Sequence, residues 1–540
     1  MKTNKRKGFT LVELLAVIVI LAIVLIIAVP GVLGIINKTK NNAYESQLKI
    51  IKEAARTYVT TSDQIGWKEN QTVVNLSDLQ GVGLLDQKLI DPRDKKEIKG
   101  ISVLVTKKGT KITYDIVHSD PSNASYPTYS QAMIPIVYKD GNWVKANPSN
   151  ENQSWFDYSN QQWANVATVT EDVRQTLLDA PVGTVVPMDK INTMFTWIPR
   201  FKYKLWNTES TLLPTNNANL LSDYTIQVEM EGKDTPKSTG TQNGEWLTHP
   251  AFTFGDEELS GFWVGKFETG YLGATNKVDA EQSVVDASKI VVKPNVYSWT
   301  AVTVSQAYYN AYQMRNQTTT FGISSTNDPH LIRNMEWGAT AYLSSSPYGK
   351  AGNPQYTNLE KQVRLNNNKG LQTGCGADTQ DAPATEICNA YQTSVGIQAS
   401  TTGNITGVYD MAGGANEYVG SMMENKEKTG YVNTDYHALW PQEELDKIGN
   451  ERKYVDIYPY SETSKQITNH LGNAMREVGP YDLVENASSW QMDRAMFPFN
   501  LAPFLYRGGS WDIQDHTGTM AFLGVHGGAY AGTSYRIVLI

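Results

Sequence analysis

A single carboxylate, Glu13, stands at the mouth of a charge-free apolar run, Leu14 to Val29. An isolated charge at the edge of hydrocarbon is costly, and residues kept there usually have a task. Just upstream, Lys5-Arg6-Lys7-Gly8-Phe9 sets a basic cluster against a glycine. Far downstream, Asp512, Asp515 and His516 lie close together, but no serine or cysteine is placed for His516 to activate. Glu417 follows Gly413-Gly414. Taken alone, that arrangement reads as a surface carboxylate at a turn. The two cysteines, Cys375 and Cys388, are close in sequence. In an exported chain that spacing reads as a loop-closing disulfide worth about 3 kcal/mol, with two free thiols as the alternative. Zinc is not expected, because no second cysteine pair and no close histidine pair accompanies them.

These residues need elements to position them. From Leu11 to about Thr61 the pattern is helical. Past the apolar run, Ile35, Ile36, Ala43, Leu48, Ile51, Ala54, Ala55 and Tyr58 recur near helical spacing. Pro30-Gly31 should bend or loosen that helix. Ile101–Thr106 and Lys111–Ile116 alternate as two strands of a hairpin, and 118–129 has linker composition. Beyond it come short strand-like runs, with Asp140-Gly141 as a hairpin turn. Lys2, Lys5, Arg6 and Lys7 would keep the N-terminal end cytoplasmic, so everything after the run is exported. Ala28-Val29-Pro30-Gly31 is a poor signal-peptidase site.

A chain of 540 residues argues for more than one domain. Its net charge of −8, with no basic stretch after the N-terminus, argues against nucleic acid as a partner. Charged residues make up 19%, while Tyr (29), Trp (13) and Gly (42) are plentiful. That mixture fits an extracellular surface touching sugars or proteins, and equally a large loop-rich core.

The segment Lys5-Arg6-Lys7-Gly8-Phe9-Thr10-Leu11-Val12-Glu13 with its apolar run resembles the N-terminus of a type IV prepilin. The resemblance implies that a prepilin peptidase cuts after Gly8, that Phe9 becomes the methylated first residue, and that Glu13 seats the subunit in a filament. It implies a single-pass protein of the cytoplasmic membrane before assembly. Afterwards it would lie among other pilins in a helical filament at the cell surface.

From about Val186 the chain resembles the formylglycine-generating-enzyme family, a variant of the C-type lectin fold. The resemblance rests on Phe262-Trp-Val-Gly-Lys-Phe-Glu268, Asn334-Met-Glu-Trp-Gly-Ala-Thr340, Gly407-Val-Tyr-Asp-Met-Ala-Gly413-Gly-Ala-Asn-Glu417-Tyr-Val, Arg507-Gly-Gly-Ser-Trp511 and Tyr535-Arg-Ile-Val-Leu539. It implies a calcium site formed by the Glu417 side chain and the carbonyls of Ala412, Gly413 and Ala415. Gly414 and Asn416 depart from the motif's asparagine and tryptophan. The enzymes' copper-binding cysteines would fall at Ile513 and Gly518. Without thiolates, neither copper nor an enzymatic activity is expected. Binding members of the fold place ligand contacts on loops after the Gly-Gly-Ser-Trp strand. Here those contacts would be Trp511, Asp512, Gln514, Asp515, His516, His526 and Tyr530, with ordinary solvated loops as the alternative.

The expected fold class is α+β, and the expected order is as follows. A leader covers 1–8, and a pilin domain at 9–118 has its transmembrane helix at about 11–36 and a small sheet. A linker at 119–129 and a β-rich connecting module at 130–185 lead to a loop-rich, C-type-lectin-like head at 186–540. The function read from this is a minor pilin at or near a pilus tip, displaying a non-enzymatic head for an extracellular glycan or protein. The rival readings are a secretion-system pseudopilin contacting cargo and an enzyme of formylglycine-generating type.

Overall fold

A computed structural model describes residues 39–540 apart from 41–42, 45, 63–70, 91, 93–97, 99–101, 109–110, 118–125, 151–152, 206–225, 234, 242–243, 380–381, 428–451, 465–470, 476, 479–486, 492 and 514–515. It divides into two compact units, Met1–Asp120 and Pro121–Ile540. Gly8, Phe9, Glu13 and the apolar run lie outside the described residues. No helix among the described residues is long and apolar enough to cross a membrane.

In the first unit the helix α1 spans 46–61, with further helical residues at 39–40 and 43–44. Tyr44, Leu48, Ile51 and Ala55 are buried at intervals of three and four, so one stripe of the helix faces the core. Spacing alone puts Ala43 on that stripe. The structure exposes Ala43 and buries Tyr44, whose ring has more apolar area to remove from water. β1 (Gln71–Asn75), α2 (Leu76–Gly81), β2 (Ser102–Lys108) and β3 (Lys111–Val117) follow. The strands form an antiparallel sheet in the order β1-β2-β3. Val103 and Val105, two apart on β2, put their side chains on one face and share a core with Leu48, Ile51 and Ala55.

In the second unit, β4 (Ile134–Lys139) and β5 (Asn142–Lys145) form a hairpin. Asp140 and Gly141 between them have φ of 50° and 84°, the left-handed pair that a tight two-residue turn requires. β6 (Asn165–Val169), α3 (Glu171–Asp179), β7 (Ile191–Pro199) and β8 (Gly261–Gly265) come next. Then come α4 (Val304–Gln313), β9 (His330–Leu331) and α5 (Asn334–Ser344). The C-terminal strands are β10 (Asn416–Tyr418), β11 (Ala487–Ser488), β12 (Arg494–Met496) and β13 (Phe504–Gly508). β14 (Gly518–Val525), β15 (Thr533–Tyr535) and β16 (Ile537–Leu539) complete them. The larger sheet runs β9-β16-β8-β7-β6-β4-β5, and a second runs β11-β12-β14-β13-β10-β15. Several small sheets, few helices and no closed barrel make the described residues a mixed α+β structure.

The centre of the larger sheet is buried on both faces. Trp263 of β8 lies opposite Trp197 on one side and Leu539 on the other. Gly261 opens β8 at φ 158°, and a Cβ there would stand 2.4 Å from the Trp197 ring. Only glycine lets the indole lie so close to the strand.

The sequence sets 130–185 apart as a connecting module, and the structure corrects this. β4, β5 and β6 are the edge of the same sheet, with Val166 opposite Phe195. Trp143, Trp155 and Trp163 enter the same core as Trp197 and Trp263. Local patterning reveals strands but not the distant strands they pair with.

Candidate functional site

Two loops of the second sheet contribute side chains to one cleft. The first, 509–517, joins β13 to β14. Pairing steps from Arg507–Phe522 to Gly508–Gly518, so the loop is thrown out at an irregularity in the ladder. Gly508 and Gly509 have φ of 80° and 71°, and a Cβ on Gly509 would strike Thr517 at 2.5 Å. The second loop, 526–532, joins β14 to β15.

Backbone hydrogen bonds fix both loops. Trp511 N–H donates to Gly414 O (2.9 Å) and Asn416 N–H to Gly532 O (2.8 Å). Ala301 N–H donates to Tyr530 O and Val304 N–H to Gly527 O, each at 3.0 Å. The latter pair ties the second loop to the start of α4, which Thr303 and Gln306 cap reciprocally.

Between these loops and the 277 segment lies a cleft of about 440 Å3. That is within the range of roughly 300–1,000 Å3 usual for small-ligand sites. Trp511, Asp512, His526 and Tyr530 all line it. Tyr530 is 46% exposed at its rim. Lys277 also lines the cleft, its ammonium 5.7 Å from the centroid of the Trp511 ring. The Ser510 hydroxyl donates to Asp512 Oδ1. Deeper in, the Thr533 hydroxyl donates to the Tyr506 hydroxyl (3.0 Å), and the Tyr418 ring lies 4.9 Å from that of Tyr506. Burial pushes the Tyr506 phenol up to about 12, so it stays a neutral hydrogen-bonding group.

His516 does not join this cleft. It lines a neighbouring void of about 10 Å3 with Arg494, Ile513 and Tyr506. That space holds about one water. Gln514 and Asp515 lie outside the described residues. The sequence reading missed Lys277, Asn416, Tyr506, Ser510 and Thr533. Asn416 and Ser510 sit inside motifs read as framework, and nothing local connects Lys277 to loops so distant in the chain.

The Gly-rich motif around Glu417 has a different role from the one the family resemblance implies. Glu417 is fully buried, and Arg536 takes both its oxygens, Nε to Oε2 at 2.9 Å and Nη2 to Oε1 at 2.5 Å. The Ala412 carbonyl accepts the Asn366 N–H (2.7 Å), Gly413 N–H donates to Gly508 O (3.1 Å) and Ala415 N–H donates to Glu268 Oε1 (2.9 Å). So arranged, these residues do not fit a calcium ion, because the carboxylate that would carry the charge is already neutralised by a guanidinium. Burial pushes the Glu417 carboxyl up to about 7, and Arg536 pulls against that.

Cys375 and Cys388 are joined by a disulfide across the short pairing of 375–376 with 389–390. The adjacent Gly374 N–H donates to both oxygens of Asp410, at 3.1 and 3.0 Å. The bridge therefore closes a loop beside the motif, far in sequence from Ile513 and Gly518.

No curated protein matches this chain. Residues 3–29 match the prokaryotic N-terminal methylation motif, which marks this N-terminus as type IV pilin-like and implies prepilin-peptidase processing, membrane insertion before assembly, and assembly with other pilins.

Proposed function

We propose that the chain is a minor type IV pilin whose second unit is a non-enzymatic binding head, held out at or near a filament tip. One observation carries the binding role. Four side chains singled out from the C-terminal loops, Trp511, Asp512, His526 and Tyr530, converge on one cleft. Aromatic faces with a few hydrogen-bonding groups on rigidly tied loops suit recognition rather than turnover. The resemblance to the formylglycine-generating family supports a lectin-like scaffold for the head. Ile513 and Gly518, standing where its enzymes carry cysteines, support a scaffold without their chemistry. The bulk of residues 121–540 supports sparse or terminal placement, since a thin filament coated with such units would be crowded.

The test is binding of sheared filaments to a panel of glycans and surface proteins. Replacing both Trp511 and Tyr530 with alanine should leave filaments intact and lower binding at least tenfold. Unchanged binding by that double variant would remove the cleft from the account. Conversion of a cysteine peptide to formylglycine by the purified full chain would replace the reading with an enzymatic one.

A further inference from the structure

We infer that the cleft takes a sugar carrying an acidic group, and that Lys277 is the residue that meets its charge. This rests on the reading of residues 121–540 as a binding head and names the ligand class of that head. The Lys277 ammonium is held over the Trp511 ring, and among the described residues no carboxylate lies within ion-pair distance of it. The nearby Asp279 is engaged elsewhere. That carboxylate accepts the Thr275 N–H (3.0 Å) and hydroxyl (2.6 Å), while the Asp279 N–H donates to Asn276 Oδ1 (2.9 Å). Asp512, the acid that lines the cleft, accepts the Ser510 hydroxyl and stays apart from Lys277. A partly buried cation with an aromatic floor and no carboxylate partner among the described residues is a prepared seat for an anion.

The rest of the lining favours a sugar over a peptide. Trp511 and Tyr530 line the cleft, and aromatic side chains suit contact with a pyranose ring. Asp512 is an acceptor for ring hydroxyls. The Asn416 side-chain amide lines the cleft and makes no hydrogen bond among the described residues. Ser510 and Thr533 add hydroxyls. Adjacent hydroxyls on a sugar can satisfy this mixed donor and acceptor set, with the acidic group at Lys277. An acidic peptide would use Lys277 alone and leave Asp512 facing a like charge.

Full-length protein in detergent is tested against glucuronate-, sialate- and sulfate-bearing oligosaccharides, the neutral sugar of each, and a glutamate-rich peptide. The expected result is that at least one acidic sugar binds at least tenfold more tightly than its neutral counterpart. Lys277→Met should remove that preference, and Lys277→Arg should keep it. A neutral sugar binding equally well, with Lys277→Met unchanged, would overturn the acidic class while leaving the binding head standing. Preference for the peptide would overturn the inference in favour of a protein partner. Binding by none of these probes would overturn it as well. In that case adhesion of filaments that still depends on Trp511 and Tyr530 would retain the binding head, and adhesion independent of them would not.

Discussion

Arg536 sits between β15 and β16 and so between the two sheets. Its guanidinium donates to Gly265 O (2.7 Å) at the end of β8, to Tyr409 O (3.0 Å) and to both oxygens of Glu417 on β10. One side chain thereby bolts the larger sheet to the second, with no exposure to water. Removing one partner of such a pair leaves the other charge buried and unpaired, at a cost of about 3–5 kcal/mol. Arg536→Met should therefore lower the unfolding free energy of the second unit by that order. Chemical denaturation of the full chain would check it, and a change within about 0.5 kcal/mol, the scatter usual for surface substitutions, would contradict the bolt. Glu477 supplies a pH-dependent counterpart. It accepts the hydroxyls of Tyr203 (2.5 Å) and Tyr342 (2.8 Å) and the Gly472 N–H (2.5 Å). Burial pushes its carboxyl up to about 7, against those hydrogen bonds. A folded-state value above the unfolded one favours the fold at low pH, and that advantage is lost as pH rises through about 7. Compared with Glu477→Gln, the wild type should lose melting temperature between pH 5 and pH 8. A wild-type-to-variant difference independent of pH would contradict this.

Elements whose partners are near in sequence were legible, and those with distant partners were not. The α1 stripe, the β2–β3 hairpin and the Asp140-Gly141 turn follow from periodicity and turn chemistry over a few residues. The larger sheet brings β16 beside β8 and β9, a pairing that no local pattern announces, so 130–185 looked like a module of its own. The cleft shows the same division. Trp511, Asp512, His526 and Tyr530 stand on two loops of one sheet and could be read together, whereas Lys277 comes from a segment placed there only by the fold. The resemblance assigned Glu417 to calcium because a family motif does not show what faces the carboxylate, and the arginine that does lies 119 residues away. The disulfide was the favoured reading of the spacing once the chain was taken as exported. Breaking it with Cys388→Ser should release the loop between 376 and 388 and cost about 3 kcal/mol in the chain-entropy model. Limited proteolysis should then cut within that loop before any other part of the second unit. A cleavage pattern identical to the wild type would show that the bridge does not order it.

At the scale of the whole molecule, one chain joins a filament-building N-terminus to a second unit with its own large core. The methylation motif at residues 3–29 accounts for export, processing and assembly. The first unit carries that motif, and in the proposed reading residues 121–540 supply the surface that is displayed. The two ends of the chain impose different demands. The N-terminus must pack among other pilins, while under the proposed function the cleft must stay open to solvent. The proposed placement at a filament end is compatible with both demands. The most direct test is immunogold electron microscopy of sheared surface filaments with antibody raised against residues 121–540. The account predicts gold at filament ends, with a shaft made of other pilins. Gold spaced regularly along the shaft, or unlabelled filaments with the protein confined to the envelope, would contradict it, and the second result would assign the chain to a secretion pseudopilus.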